Sequence, residues 1–351
     1  DLLRIIAVLL VLGRHLRLPK DPHFVLKAWK TGGWVGVDLF FVLSGFLVSG
    51  LLFREYQREQ SVDFKRFLVR RGFKIYPAFY TLIGFTILVG LISGHSIPTR
   101  QLVGEITFFQ NYLGGMWNHT WTLAVEEHFY FGTAFLFFYL LRRADLRIND
   151  SNPFRCIPSI FIAIAITCLF LRIANFFVFE SYSHRWFLMG THIRIDSLMF
   201  GVFISYLWYF ANLQERIKGV TTFALISIGV GLLAPAFLFP LEQYKIISIF
   251  GVVLFYFGSG ALLLAAIRLR DSKHFAFKLG GTLGAASYSI YLWHMPVATW
   301  GWAGVNKLLK FDAYFWYFSF YIIGSLLFGW FMNKMLEWPI LRMRDRLFPK
   351  V

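Results

Sequence analysis

Stretches of about twenty mainly apolar residues follow one another along this chain, at roughly 1–18, 34–53, 75–94, 119–141, 157–179, 191–212, 219–239, 244–267, 281–303 and 314–336. A helix of about that length crosses the hydrocarbon core of a bilayer. Lipid offers no partner to backbone N–H and C=O groups, so each such run must satisfy its own, as a helix does. The pattern predicts an all-α, polytopic integral membrane protein with about ten transmembrane helices in one bundle. Composition points the same way: 57% of residues are hydrophobic, 42 are Phe, and 15% are charged, against about a quarter in soluble domains. The reading is of a single transmembrane domain over 1–351, with no appended soluble domain, repeat or low-complexity segment. One apolar segment, 101–117, is short and holds Gln110, Asn111, Gly114 and Gly115; a loop dipping into the membrane or lying on it is expected there.

The formal charge is +16. In a soluble protein that would raise nucleic-acid binding. Here the cations gather in loops between spans, so membrane lipids with anionic headgroups and phosphorylated ligands are the expected partners, and nucleic acid is not. Loops after even-numbered spans hold 17 Lys and Arg, including Arg66, Arg70, Arg71, Lys74, Arg142, Arg147, Arg268, Arg270 and Lys273, against nine after odd-numbered spans. The C-terminal tail adds more, Lys350 among them. By the positive-inside rule both termini and the even loops face the cytoplasm. The chain opens at Asp1 without Met, which suggests a trimmed start. It lacks a small-residue cleavage site there and runs on into further spans, so the first segment is not read as a signal peptide. The two cysteines, Cys156 and Cys168, form no disulfide framework or CxxC pattern, and no metal is expected.

Within the first span stand Arg4 and His15. Eleven residues carry a helix through three turns and about 20° more, so both point to nearly one face, about 16 Å apart along the axis. Ionisable groups inside a bilayer persist mainly where they line a polar cavity, a pathway or an active site. An imidazole can also exchange a proton near neutral pH. His15 is read as a general base that takes a proton from a hydroxyl, or else as an interfacial histidine bonded to a neighbouring helix. Asp38, in the second span, either orients and charge-stabilises that imidazole or pairs with a buried arginine.

Further polar groups interrupt the apolar runs. Ser44, Gly45, Ser49 and Gly50 lie in FFVLSGFLVSG, where small residues let another backbone approach, or a thin acyl or pantetheine arm. Arg70, Arg71 and Lys74 cluster at a helix end just ahead of Tyr76 and Pro77. Positive-inside topology accounts for many such runs, yet guanidinium forks and an ammonium also suit a polyphosphate. NHTWTLAVEEHFYF puts Glu126, Glu127 and His128 at the entrance of a span. Neighbouring residues on a helix diverge by about 100°, so one of the two carboxylates turns inward and the other to the interface. Arg194 with Asp196, His294 beside Pro296, and Glu337 are read as structural pairing or capping groups.

In this order, these segments resemble the membrane acyltransferase-3 family, whose members O-acylate carbohydrates and some small molecules. Arg4 and His15 match its Arg-X10-His opening. Phe40–Phe46 matches FFxxSGF, and Arg71–Pro77 matches RRxxRIYP with Arg70 ahead and Lys74 in place of an Arg. Trp121–Tyr130 matches WSLxVEExFY, Arg194–Gly201 matches RxDSLxxG, and Ser287–Pro296 matches SYSIYLxHxP. Some relatives add a C-terminal extracytoplasmic SGNH-type domain; this chain resembles the stand-alone form.

The resemblance implies acetyl-CoA, or another acyl-CoA, as donor. It also implies a hydroxyl of a glycan or lipid-linked saccharide as acceptor, in a bacterial cytoplasmic (inner) membrane. CoA is anionic and cytoplasmic, so its phosphates should meet Arg70, Arg71 and Lys74, with Tyr76 and Ser44 also assigned to the donor. His15 would act as base, Asp38 or Glu127 would hold its ring, and Arg4 would steady the donor or the oxyanion. The rival class is a transporter or flippase of an acylated or phosphorylated solute, which intramembrane charges also fit; broken helices in two matching halves would favour it, and none are visible.

Overall fold

The computed structural model describes residues 1–145, 152–269, 275–310 and 313–349. Arg147, Arg270, Lys273 and Lys350, used above for orientation, lie outside them. Every regular element among the described residues is helical, as the apolar runs require.

The count of about ten spans is not recovered. Five helical segments are long and apolar enough to cross a membrane: Phe24–Glu59, Phe64–Ile92, Ile157–Val178, Ile247–Arg268 and Tyr314–Leu347. The rest fall short for identifiable reasons. Leu2–His15 ends after 14 residues because Leu16 turns extended, ahead of Pro19. Ile195–Phe210 and Thr222–Leu238 are apolar but short. Trp121–Asp145 carries Glu126, Glu127, Arg142 and Arg143. The ninth run is helical through Ser287–Pro296, Val297–Gly301 and Trp302–Leu309, but Ser287, Ser289, His294, Asn306 and Lys307 leave it less apolar than the five. Within 101–117 the chain makes two short helices, Thr99–Ile106 and Gln110–Leu113.

The chain forms two compact units, each assembled from separate stretches. The first comprises the described residues of 1–36, 70–120 and 270–350. Helix Leu2–His15 lies inside it, burying Leu3, Ile5, Ala7, Val8, Val11 and Leu12. Glycines set the close approaches. A Cβ on Gly33 would stand 2.2 Å from the Leu10 carbonyl oxygen, and one on Gly36 would stand 2.3 Å from that of Ala7. The end of this helix is seated in a cluster of Leu12, Leu16, Ala298, Tyr317 and Tyr321. A helix leaves its last carbonyls without intrahelical donors; here the Tyr321 hydroxyl donates to Leu12 O at 2.9 Å and Lys30 Nζ donates to Leu16 O at 2.6 Å.

The second unit comprises the described residues of 37–69 and 121–269. Its tightest crossing joins Gly36–Glu59 to Ile195–Phe210. A Cβ on Gly45 would lie 2.0 Å from Leu198 O, and one on Gly201 would lie 2.2 Å from Val42 O. Small residues at Gly45 and Gly201 therefore bring two backbones into contact, the packing use of small residues in membrane helices. Phe53, further along the first of these helices, stacks on Phe137 and meets Phe154 and Phe210 edge-on, giving an aromatic core.

Candidate active site

Three imidazoles meet in the first unit. His15 is the last residue of helix Leu2–His15 and is half-buried, whereas His119 and His294 are fully buried. Ring centroids lie 4.9 Å apart for His15 and His294, 4.8 Å for His119 and His294, and 6.3 Å for His15 and His119. His15 Nδ1 stands 3.1 Å from Val11 O and 3.1 Å from His294 Nε2. His294 Nδ1 stands 2.5 Å from Tyr291 O.

Local sequence explains part of this. Pro296 has no N–H, so the carbonyl four residues earlier, Leu292 O, receives no helical bond from it. That carbonyl instead lies 3.1 Å from His119 Nε2. His119 is anchored in turn, since the Tyr291 hydroxyl donates to its carbonyl at 2.6 Å.

The loop that carries His119 is pinned by Glu105. Its Oε1 accepts from Met116 N at 2.9 Å, Trp117 N at 3.4 Å and Thr120 Oγ1 at 2.9 Å. Burial pushes the Glu105 carboxyl up to about 7, against the pull of the Thr120, Trp117 and Met116 donors. Neither Glu105 nor His119 was singled out from sequence. Each sits among other polar residues, His119 between Asn118 and Thr120 and Glu105 four residues after Gln101, and the signal that points to them is Pro296, which announces a freed carbonyl.

The expected donor-binding cations lie on helix Phe64–Ile92 in the same unit. Arg70 bonds the carboxylate of Asp345 at 2.8 Å and the carbonyl of Phe348. Lys74 Nζ lies 3.1 Å from Glu337 Oε1, and Glu337 Oε2 accepts from Ser289 Oγ at 2.9 Å and Asn333 Nδ2 at 2.8 Å. Arg71 is half-buried beside Arg70. Tyr76 packs its ring against Phe108 and Tyr80. Arg4 pairs with Asp1 at 2.7 Å. The structure thus relates Lys74 to His15 through one element, Ser287–Pro296. Ser289 bonds the partner of Lys74, and five residues on, about 7.5 Å along the axis, His294 bonds His15.

The other candidates lie in the second unit. Asp38 Oδ1 accepts from Arg194 Nη2 at 2.7 Å and Ser197 Oγ at 3.2 Å. This is the arginine partnership that the sequence left open for Asp38. Arg194 has no exposure, and it lies over the faces of Phe41 and Trp121, 5.6 and 6.0 Å from their centroids. A second buried pair joins Arg172 to Asp196 at 2.5 Å. Buried charges of this kind persist when paired. Glu127 is buried and Glu126 only partly so, the divergence expected of neighbours on a helix. Glu126 Oε1 accepts from Ser44 Oγ at 3.0 Å, and Ser44 also meets the Tyr130 hydroxyl at 3.2 Å. Among the described residues no group of three His, Cys, Asp or Glu is arranged to hold a metal ion.

Long apolar helices with paired charges and imidazoles among buried side chains define a helical integral membrane protein with polar chemistry inside its units. Residues 1–335 match the family model described as "Acyltransferase domain" (Acyl_transf_3), and the chain belongs to that acyltransferase-3 family. It is 28% identical over 326 residues to "Peptidoglycan O-acetyltransferase OatA" of Listeria monocytogenes, covering 85% of this chain and 49% of the relative. It is 30% identical over 320 residues to "O-acetyltransferase OatA" of Staphylococcus aureus strain NCTC 8325, covering 85% and 50%. The chain therefore spans about half the length of these relatives. No solved structure matches it.

Proposed function

We propose that this chain is a membrane O-acyltransferase that moves an acetyl group from acetyl-CoA to a hydroxyl of a glycan or lipid-linked saccharide. Family membership supports acyl transfer, and the similarity to O-acetyltransferases, one of them a peptidoglycan O-acetyltransferase, supports O-acetylation of a glycan. The observation that carries the site assignment is the helix Ser287–Pro296. It bonds the Lys74–Glu337 pair through Ser289 and the His15 imidazole through His294.

In this reading the donor arrives from the cytoplasm, where both termini lie, at a bacterial inner membrane. Its phosphates meet Arg70, Arg71 and Lys74. Arg70 and Lys74 are matched to carboxylates of this chain, so the donor exchanges one anion for another there. His15 takes the acceptor's hydroxyl proton while the oxygen attacks the thioester carbonyl carbon. The carbon–sulfur bond breaks, and the thiolate takes the proton from the imidazolium to leave as CoA thiol. The imidazolium stands at the carbonyl end of helix Leu2–His15, where positive charge is favoured. We assign Asp38 to its pair with Arg194. The reading gives no step to Arg4, Glu127, Tyr76 or Ser44, and no metal to the reaction.

The test is incubation of the purified protein in lipid nanodiscs with radiolabelled acetyl-CoA and peptidoglycan fragments or other glycans. Acceptor-dependent labelling is expected, and His15→Ala should fold yet lose about 10²-fold or more of the rate. Arg71→Ala should raise KM for the donor. Full transfer by a folded His15→Ala protein removes the base assignment. An unchanged donor KM in folded Arg71→Ala removes the phosphate assignment. Uptake of an unmodified solute into proteoliposomes without labelling would move the protein to the transporter class.

A further inference from the structure

The three imidazoles carry more than the identity of a base. A carbonyl oxygen accepts and never donates, so each ring nitrogen facing one must carry hydrogen. His294 Nδ1 faces Tyr291 O at 2.5 Å, which places its proton on Nδ1. In the neutral ring Nε2 is then an acceptor. That Nε2 stands 3.1 Å from His15 Nδ1, and so His15 Nδ1 is the donor. Val11 O, also 3.1 Å from His15 Nδ1, demands the same. The single His15 Nδ1 proton is thus shared between the His294 ring and the Val11 carbonyl, whose helical position gives it the poorer angle of a residue four places back on the same helix, and Nε2 is the basic nitrogen.

We propose that His294 is a positioning residue for the transfer reaction: it holds His15 in the Nδ1–H tautomer and so presents Nε2 to the acceptor hydroxyl. The inference rests on His15 acting as the base. Carboxylates serve this purpose in many hydrolases; here a neutral imidazole, oriented by a backbone carbonyl, fills the place. When Nε2 takes the hydroxyl proton, the Nδ1–H of the imidazolium still donates to His294 Nε2. His294 keeps its own proton on Nδ1, because Tyr291 O cannot take it. His294 is wholly buried and His15 only partly so, which favours the positive charge on His15 until the leaving thiolate removes the Nε2 proton.

The second shell fits this role. His119 packs its ring edge-on to His294, 4.8 Å between centroids. Its Nε2–H is directed to Leu292 O, the carbonyl that Pro296 leaves without a helical donor. The helix that presents His294 is thereby gripped from two sides, by His119 at Leu292 and by the Glu337–Ser289 bond one turn earlier. His294 is wholly buried, so its ring has no solvent alternative.

The experiment compares His294→Gln with His294→Asn in the full chain in nanodiscs. The Gln amide oxygen can stand where Nε2 stands and accept from His15. The Asn amide, one methylene shorter, keeps polarity but cannot reach. Solid-state NMR of 15N-histidine protein, with the His15 signal assigned by its loss in His15→Ala, reads the tautomer directly. Expected results are Nδ1–H for His15 in the parent and in His294→Gln, and a substantial Nε2–H population in His294→Asn. Steady-state kinetics should show kcat within about tenfold of the parent for Gln. For Asn, kcat should fall by about 10²-fold with the donor KM unchanged. An Nε2–H tautomer in the parent, a tautomer unmoved in His294→Asn, or equal kcat for the two variants overturns the assignment. Because NMR needs no turnover, it still decides whether His294 sets the tautomer if His15→Ala proves active and the base reading fails.

Discussion

Replacing Gly45 with Ala tests the packing that underlies the second unit. The added Cβ would lie 2.0 Å from Leu198 O, 2.9 Å from Leu198 C and 3.1 Å from Gly201 Cα. These are backbone atoms of a facing helix, so no side chain can rotate away. Reaching ordinary contact at 3.4 Å requires helices Gly36–Glu59 and Ile195–Phe210 to separate by about 1.4 Å. A gap of 0.5–1 Å already forfeits about a quarter to a half of each dispersion contact, and overpacking of this kind costs about 1–3 kcal/mol. Asp38 on the first helix and Arg194, the N-cap of the second, form a bond at 2.7 Å between side chains without exposure. Breaking a buried pair costs about 3–5 kcal/mol. Gly45→Ala should therefore destabilise by about 3 kcal/mol or more. Gly50→Ala on the same helix is the control. Its Cβ would meet only side-chain atoms, the nearest being Tyr209 Cε2 at 3.2 Å, and it should cost under about 1 kcal/mol. Fluorescence-detected size-exclusion chromatography after a temperature series in detergent reads both. Equal melting of the two variants would refute the backbone-contact argument.

Three other outcomes are expected. Glu105 keeps its proton when folded to about pH 7, whereas an unfolded carboxyl loses it near 4.5, so the folded state binds more protons in between. Stability should fall by up to about 3 kcal/mol as pH rises from 4.5 to 7 and level off above, and Glu105→Gln should abolish that slope; parallel melting curves from pH 5 to 8 would sink this. Gly13→Ala should displace Trp29, whose indole would lie 2.0 Å from the new Cβ and whose Nε1 donates to Leu9 O at 3.0 Å. The cost should be about 1–3 kcal/mol, and adding Trp29→Leu should recover part of it, a double-mutant measurement that fails if the two changes simply add. Arg194→Met leaves the Asp38 carboxylate buried without its cation and should destabilise by about 3–5 kcal/mol. Adding Asp38→Asn should restore much of that loss, and no restoration in thermal melts would show that the pair is not the cause.

Much of this protein was decided along the chain. Apolar runs about twenty residues long forbid any structure but helices in lipid, and every regular element among the described residues is helical. The ordered motifs placed the chain in its family, because each matches as a short local string. His15 was conspicuous as an imidazole in an apolar run, and the divergence of Glu126 from Glu127 followed from helical geometry alone. Span number was less legible. The early end at Leu16, the polar groups around His294 and the charges of Trp121–Asp145 left five segments that meet the length and apolarity for crossing.

Partner choice was decided only in three dimensions. The sequence offered Asp38 a histidine or an arginine, and folding gave it Arg194, 156 positions away. Lys74 met Glu337 and His15 met His294 across separations of 263 and 279 residues. Such pairings depend on which helix faces which. That in turn depends on glycines that let backbones touch and on carbonyls that prolines leave without donors. Periodicity within a segment carries the first kind of information, because it is local. The second kind exists only once distant segments have packed.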